Sequence, residues 1–369
     1  MGYNFRRQHS ENFSADNMNL ISGSLSGFTA FRVYSWLIIT AIFLFTSCEQ
    51  TEPSRTELAL GTVCSVTLFD QGKKSVYDAI FSGIRETENL MSVNIQSSDI
   101  SLINSNAGIA AVQVNEETFK VTERALFFAR RSAGSFDPSV GPIVSLWGIG
   151  TEEQNVPPRD KINQIQPLVD WQNVEMHPDS RGVFLKQRGM ALDLGAIAKG
   201  YAADKAARLA REAGIKRAII DLGGNIVVIG VKKDKSPWRI GIQAPGGNRG
   251  ETAGYLQITG SNEKNTSVVT SGVYERCFTE DGQLYHHIFS PSLGYPVQNG
   301  LVSVTIIAES STDADALSTS VFVSGYEKGM ALLEPPESAG AVFIFEDKSV
   351  IVTPGVDFTL TDNAFYIKK

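Results

Sequence analysis

After residue 198 the chain shows one helix pattern, 198–213, and then five strand patterns in a row with no helix among them: 217–222, 226–231, 238–244, 254–259 and 267–270. Without regular alternation of strand and helix, this order favours an α+β fold over a doubly wound one. Earlier segments agree. Residues 61–68 (GTVCSVTL) are rich in β-branched side chains and read as a strand. Residues 75–91 place Val76, Ala79, Ile80, Ile84 and Leu90 near helical spacing, and 116–131 do so with Phe119, Val121, Ala125, Leu126 and Ala129. Gly214 is the natural stop of the helix ending at 213. Pro157-Pro158 marks a loop leading to a short helix, and helices at 313–323 and 326–333 precede strands at 341–345 and 349–352. No long linker or repeat interrupts the chain from about residue 56, so 59–369 reads as one domain. The whole chain is 42% hydrophobic, enough for a core.

Residues 33–45 (VYSWLIITAIFLF) are uncharged and almost wholly apolar, with Arg32 before them and Thr46-Ser47-Cys48 after. A positive charge, an apolar core and small residues in that order describe an export signal. The stretch falls short of the roughly 20 residues that span a bilayer, and an uncleaved membrane anchor is the competing reading. Phe45-Thr46-Ser47-Cys48 resembles a bacterial lipobox, with Phe45 where Leu is commonest. The resemblance implies lipidation of Cys48 as the new N-terminus. Residues 1–47 are then a signal peptide and 48–58 the lipidated cysteine and its tether. The expected location is the periplasmic face of the inner membrane. Glu11 and Asp16 lie in a long polar lead that is odd for a signal peptide, which points to Met18 as the translation start.

A net charge of −7 leaves nothing to neutralise a phosphate backbone, so no nucleic-acid partner is expected. Three cysteines without a C-x-x-C make no disulfide framework, and four histidines make a Cys/His zinc site an unpromising reading. No G-x-S-x-G is present to supply a serine hydrolase nucleophile.

Four segments carry chemistry. Asp193-Leu194-Gly195-Ala196-Ile197-Ala198-Lys199-Gly200 runs from a strand end through a glycine turn into a helix, a plausible anion cradle with Lys199 beside it. Tyr201 stands where a P-loop needs lysine, and the segment also reads as a plain turn. Asp221-Leu222-Gly223-Gly224-Asn225 allows either close approach of a ligand or a tight turn. Residues 270–276 are followed, after a hairpin around Asp281-Gly282, by His286-His287, which must point to opposite faces of a strand. In the last segment Ser311 or Thr312 looks like a helix cap, and Asp315 and Thr319 stack at i and i+4. A carboxylate with a hydroxyl suits Mg²⁺; in isolation, Asp313 and Asp315 also read as acids complementing a helix dipole.

In order along the chain these segments resemble the ApbE family of FAD:protein FMN transferases. The resemblance spans nearly everything from residue 58. It includes Gly61-Thr62, Met91-Ser92, Ser98-Asp99-Ile100-Ser101, Phe136-Asp137-Pro138, Leu146-Trp147-Gly148, Asp193-Leu194-Gly195, Ser271-Gly272, Gly294-Tyr295-Pro296-Val297 and Asp315 with Thr319. It implies a single α+β, T-fold-related domain with mixed helices, antiparallel sheet and a cleft for FAD. It further implies Mg²⁺ held by Ala196, Asp315 and Thr319, and FAD contacts at Leu60, Ser135, Phe136, Asp137, Asp193, Lys199 and Ile288. His287 falls at the family's flavin-site histidine, giving His287, Asp315 and Lys199 as the catalytic candidates. Asn94 stands where many members carry an aromatic residue that stacks on FAD. The implied activity splits FAD, joins FMN to a Ser or Thr of an acceptor protein, such as a membrane redox-pump subunit, and releases AMP; water in place of the acceptor gives FMN and AMP. The rival reading is a lipoprotein that binds and delivers FAD without chemistry.

Overall fold

The computed structural model describes residues 53–368, apart from 71, 249 and 336–338. The signal segment, Met18 and Cys48 lie outside the described residues. At the centre is a nine-stranded sheet whose strands lie side by side in chain order. They are β1 (Ser54–Ala59), β2 (Thr62–Leu68), β3 (Ala218–Leu222), β4 (Asn225–Ile229), β5 (Asn265–Gly272), β6 (Leu301–Ala308), β7 (Gly340–Phe345), β8 (Ser349–Val352) and β9 (Tyr366–Ile367). Each neighbouring pair is antiparallel except β8 with β9.

Side chains alternate across this sheet, and each face has its own cover. Val227, Val269 and Phe343 face the helices, whereas Val228, Val268, Val342 and Ile344 face a small antiparallel sheet made by Trp238–Gln243, Thr252–Ile258 and Phe358–Leu360. The helical layer contains α1 (Lys74–Met91), α2 (Glu116–Arg131), α3 (Ala198–Glu212) and α4 (Ser311–Ser324). Helix α1 buries Ile80, Phe81 and Ile84 completely, each worth about 1.5–3 kcal/mol. Helix α3 presents Ala202, Ala203, Ala206, Ala207 and Ala210 to the same cluster, and such small side chains let its axis lie close to β3 and β4. A satellite cluster of Ile143, Trp147, Ile162 and Phe289 packs apart from these layers.

Three boundaries differ from the sequence reading. Strand β1 begins at Ser54, inside the segment 48–58 read as tether; its polar side chains suit an edge strand, with Arg55 bonded to Asp78 of α1. Strand β6 was not anticipated, because burial of four consecutive residues, Ser303 to Ile306, removes the alternation that marks a half-exposed strand. The cap of α4 is Ser310 rather than Ser311 or Thr312: its side chain accepts the N–H of Asp313 at 3.2 Å. The hairpin turn at Asp281-Gly282 is found as read, with φ of 49° and 79°.

Candidate active site

The N-terminal part of α3, one face of α4 and the β1–β2 turn enclose a cavity of about 650 Å³. Leu60, Asn94, Ser135, Phe136, Asp137, Asp193, Ala196, Lys199, His287, Ile288, Asp315 and Thr319 all line it, so every described candidate from the sequence reaches the same space. Local backbone places them. Leu60 and Gly61 form a two-residue turn with φ of 54° and 65°. A leucine in that left-handed region is uncommon, and it puts the turn at the cavity wall.

The two helix starts meet at Asp315. Its buried carboxylate accepts the N–H of Gly200, in the first turn of α3, at 2.8 Å, and lies 3.4 Å from Lys199 Nζ. Asp313, by contrast, pairs with Arg124 at 2.7 Å and serves the helix start. The two acids of the segment therefore have different work. One turn after Asp315, Thr319 Oγ1 lies 3.4 Å from Ser271 Oγ, which also bonds Ser318 Oγ at 2.7 Å. Gly200 is obligatory here: a Cβ on it would sit 2.2 Å from the main-chain oxygen of Ser311.

Behind this contact, the half-buried carboxylate of Asp204 accepts from the Ser311 and Thr312 amides, each at 2.9 Å, and from the hydroxyls of Ser310 and Thr312. It ties α3 to the start of α4. Gly223 resolves the second glycine segment in both senses, since it lines the cavity and a Cβ there would strike Thr62, while Gly224 closes a turn onto Asp221.

Burial raises the proton affinity of Asp193, opposed by the Gly195 amide and by the charges of Arg276 and Lys199. Asp137 is likewise pushed up by burial, but its oxygens are already engaged by the Ser139 amide and hydroxyl and by the Trp171 amide. It braces the wall as well as lining it. His286 and His287 diverge as the strand geometry requires. His286 is buried, bonding the Val297 oxygen through Nε2 and the Ile288 amide through Nδ1. His287 lines the cavity, and burial pulls its pKa down to about 4, so it is neutral at physiological pH.

Arg276, Glu275 and Glu88 also line the cavity; the first two lie in the segment 270–276 but had no role assigned from sequence, and Glu88 lay outside all four segments. For Arg276 a signal existed. A two-residue turn at Asp281-Gly282 pairs Cys277 with His286, and one step further places Arg276 opposite His287.

The sequence model of the ApbE family matches residues 60–343. A FAD:protein FMN transferase of Treponema pallidum is 38% identical over 322 residues, covering 83% of this chain and 88% of that protein. This chain belongs to the ApbE family. A second such relative, from Klebsiella pneumoniae, is 38% identical over 274 residues, covering 74% of this chain and 83% of its own length. The crystal structure of the ApbE protein from Thermotoga maritima superposes with a TM-score of 0.74 at 34% identity, covering 83% of this chain and 97% of that one. The α+β architecture described above is thus shared with solved ApbE structures.

The ApbE family implies a divalent cation, and the donors present fit a hard one. Asp315 offers a buried carboxylate, Thr319 a hydroxyl and Ala196 a main-chain oxygen, all at the same cavity. Mg²⁺ takes few protein ligands and completes its shell with water and substrate oxygens. Among the described residues no three His, Cys, Asp or Glu side chains come together as a metal cluster.

Proposed function

We propose that this cavity binds FAD, splits its pyrophosphate and transfers the FMN half to a Ser or Thr hydroxyl of an acceptor protein, with AMP as the leaving product. What carries the reading is the convergence on one cavity of Asp315, Thr319, Ala196, Lys199 and His287, from segments far apart in the chain. The names of the transferase relatives point the same way.

Asp315, Thr319 and Ala196 would hold Mg²⁺, which when bound polarises phosphoryl oxygens and offsets charge on the departing phosphate. Lys199, beside Asp315, supplies a second positive charge at the same place. Asp193 and the first turn of α3 shape the adjoining wall. His287, neutral and at the cavity surface, takes the proton of the attacking hydroxyl. That oxygen forms a bond to the phosphorus next to riboflavin as the P–O bond to AMP breaks. If water enters instead, the same residues give FMN and AMP, a FAD pyrophosphatase activity.

The protein is exported, anchored through lipidated Cys48 on the periplasmic face of the inner membrane, and meets an acceptor exposed to that compartment, such as a membrane redox-pump subunit. Incubation with FAD and Mg²⁺, with and without an acceptor, tests the reading. AMP release and covalently bound flavin fluorescence are expected, both abolished by a chelator. Intact FAD bound without AMP release would instead establish a flavin carrier.

A further inference from the structure

Arg276 and His287 face each other one step beyond the hairpin formed by Cys277–Glu280 and Gln283–His286. The main-chain oxygen of Arg276 accepts the His287 amide at 3.1 Å and lies 3.1 Å from ring nitrogen Nδ1. A carbonyl oxygen can only accept, so Nδ1 carries the proton and Nε2 keeps its lone pair. The arginine side chain makes a second set of contacts. Its guanidinium lies 3.5 Å from the main-chain oxygen of Gly61 in the β1–β2 turn, and its stem passes beside Gly150. One residue thus joins three parts of the cavity wall: the turn, the loop following Gly141–Trp147, and the strand end bearing His287.

We propose that Arg276 is the positioning residue for His287, presenting Nε2 to the cavity as a proton acceptor and holding a fixed positive charge beside the ring. The proposal rests on the reading of His287 as the base that takes the hydroxyl proton. In that step the proton passes to Nε2, the acceptor oxygen bonds to phosphorus, and AMP departs with the electron pair of the broken P–O bond.

The charged and titratable groups acting on the ring are Arg276, Lys199 at the start of α3 and the neighbouring His286, while the acids Asp193 and Glu275 line the same cavity. Burial first, and then the charges of Arg276 and Lys199, hold the ring neutral against the pull of the Arg276 carbonyl. A base that stayed protonated would be unable to act, and one free to rotate would lose its aim. The main-chain oxygen of Arg276 sets the tautomer, and its guanidinium adds to burial in keeping the ring uncharged.

The test uses the exported protein with Arg276→Gln and, as the charge-keeping partner, Arg276→Lys. With four histidines in the whole sequence, imidazole NMR resonances are few, and His287→Gln identifies the one that matters. In Arg276→Gln the His287 midpoint should rise by about one pH unit, whereas Arg276→Lys should leave it within about 0.3. With FAD and Mg²⁺, the acid limb of the kcat–pH profile for AMP release should move up with the His287 midpoint in Arg276→Gln and return in Arg276→Lys, with KM changed less than about threefold. Thermal melts of both variants check that they fold. An unmoved His287 midpoint in folded Arg276→Gln overturns the proposal. So does a loss expressed only in KM, which would make Arg276 a substrate-binding cation. If the unsubstituted protein releases no AMP, the transferase reading fails instead, and the NMR titration still decides whether Arg276 controls the ring.

Discussion

The carboxylate of Asp315 on α4 accepts the N–H of Gly200 in the first turn of α3. One buried acid therefore satisfies an otherwise unpaired donor of a neighbouring helix, at the positive end of its dipole. The same contact brings the backbones so close that the side chain at position 200 must be hydrogen.

Gly200→Ala tests that closeness. The added methyl would meet the Ser311 oxygen at 2.2 Å and Asp315 Cβ at 2.8 Å, and the first of these is main chain that cannot rotate away. The two helix starts must part. A loss of about 1–3 kcal/mol in stability is expected, the usual cost of overpacking. Asp315 should also be displaced, so AMP release should fall more than the loss of folded protein explains. Chemical denaturation and the FAD assay on the folded fraction measure the two effects separately.

Asp315→Asn separates charge from shape. An amide oxygen can still accept from Gly200, so the melting temperature should stay within a few degrees. AMP release should drop at least about 100-fold, since loss of residues that merely support metal ligands already costs 10–100-fold. Retention of full AMP release would remove Asp315 from the site.

How far the sequence carried the site depended on whether the decisive contact was local. Asp315 and Thr319 were legible because a helix stacks i on i+4 without help from the rest of the chain. His286 and His287 were legible as opposites because strands alternate. Asp204 was not, since its partners lie more than a hundred residues away and its own surroundings look like an ordinary helix face. Nor was β6, whose run of buried residues carries no period. Edge strand β1 was hidden for the reverse reason, its polar residues resembling a tether until their pairing with β2 is seen.

Asn94 is exposed at the cavity wall, just beyond α1, with its amide bonded to Ser92. An aromatic side chain there could stack on a flavin or adenine ring, worth about 0.5–1.5 kcal/mol beyond burial. Asn94→Tyr should accordingly raise FAD retained by the purified protein, by up to roughly tenfold in affinity. The unsubstituted protein should turn FAD over more readily than it stores it. Flavin absorbance per protein after gel filtration gives the answer; equal occupancy in both proteins would rule out stacking as the missing contribution.

The histidines set an acid limit on stability. Burial lowers the pKa of His287 to about 4 in the fold, against about 6.5 in an unfolded chain. Between those values the unfolded state binds the proton and the native state refuses it, so native stability is complete above about pH 6.5 and declines as pH falls toward 4. His286, also shifted down by burial, acts in the same sense. Asp193, Asp137 and Asp204 are shifted up by burial and act oppositely, but they are common to any histidine variant. His287→Gln should therefore lose less melting temperature than the unsubstituted protein between about pH 7.5 and pH 5. Matching losses in the two proteins would show that His287 takes up a proton as easily in the fold as outside it, so that burial does not depress its pKa.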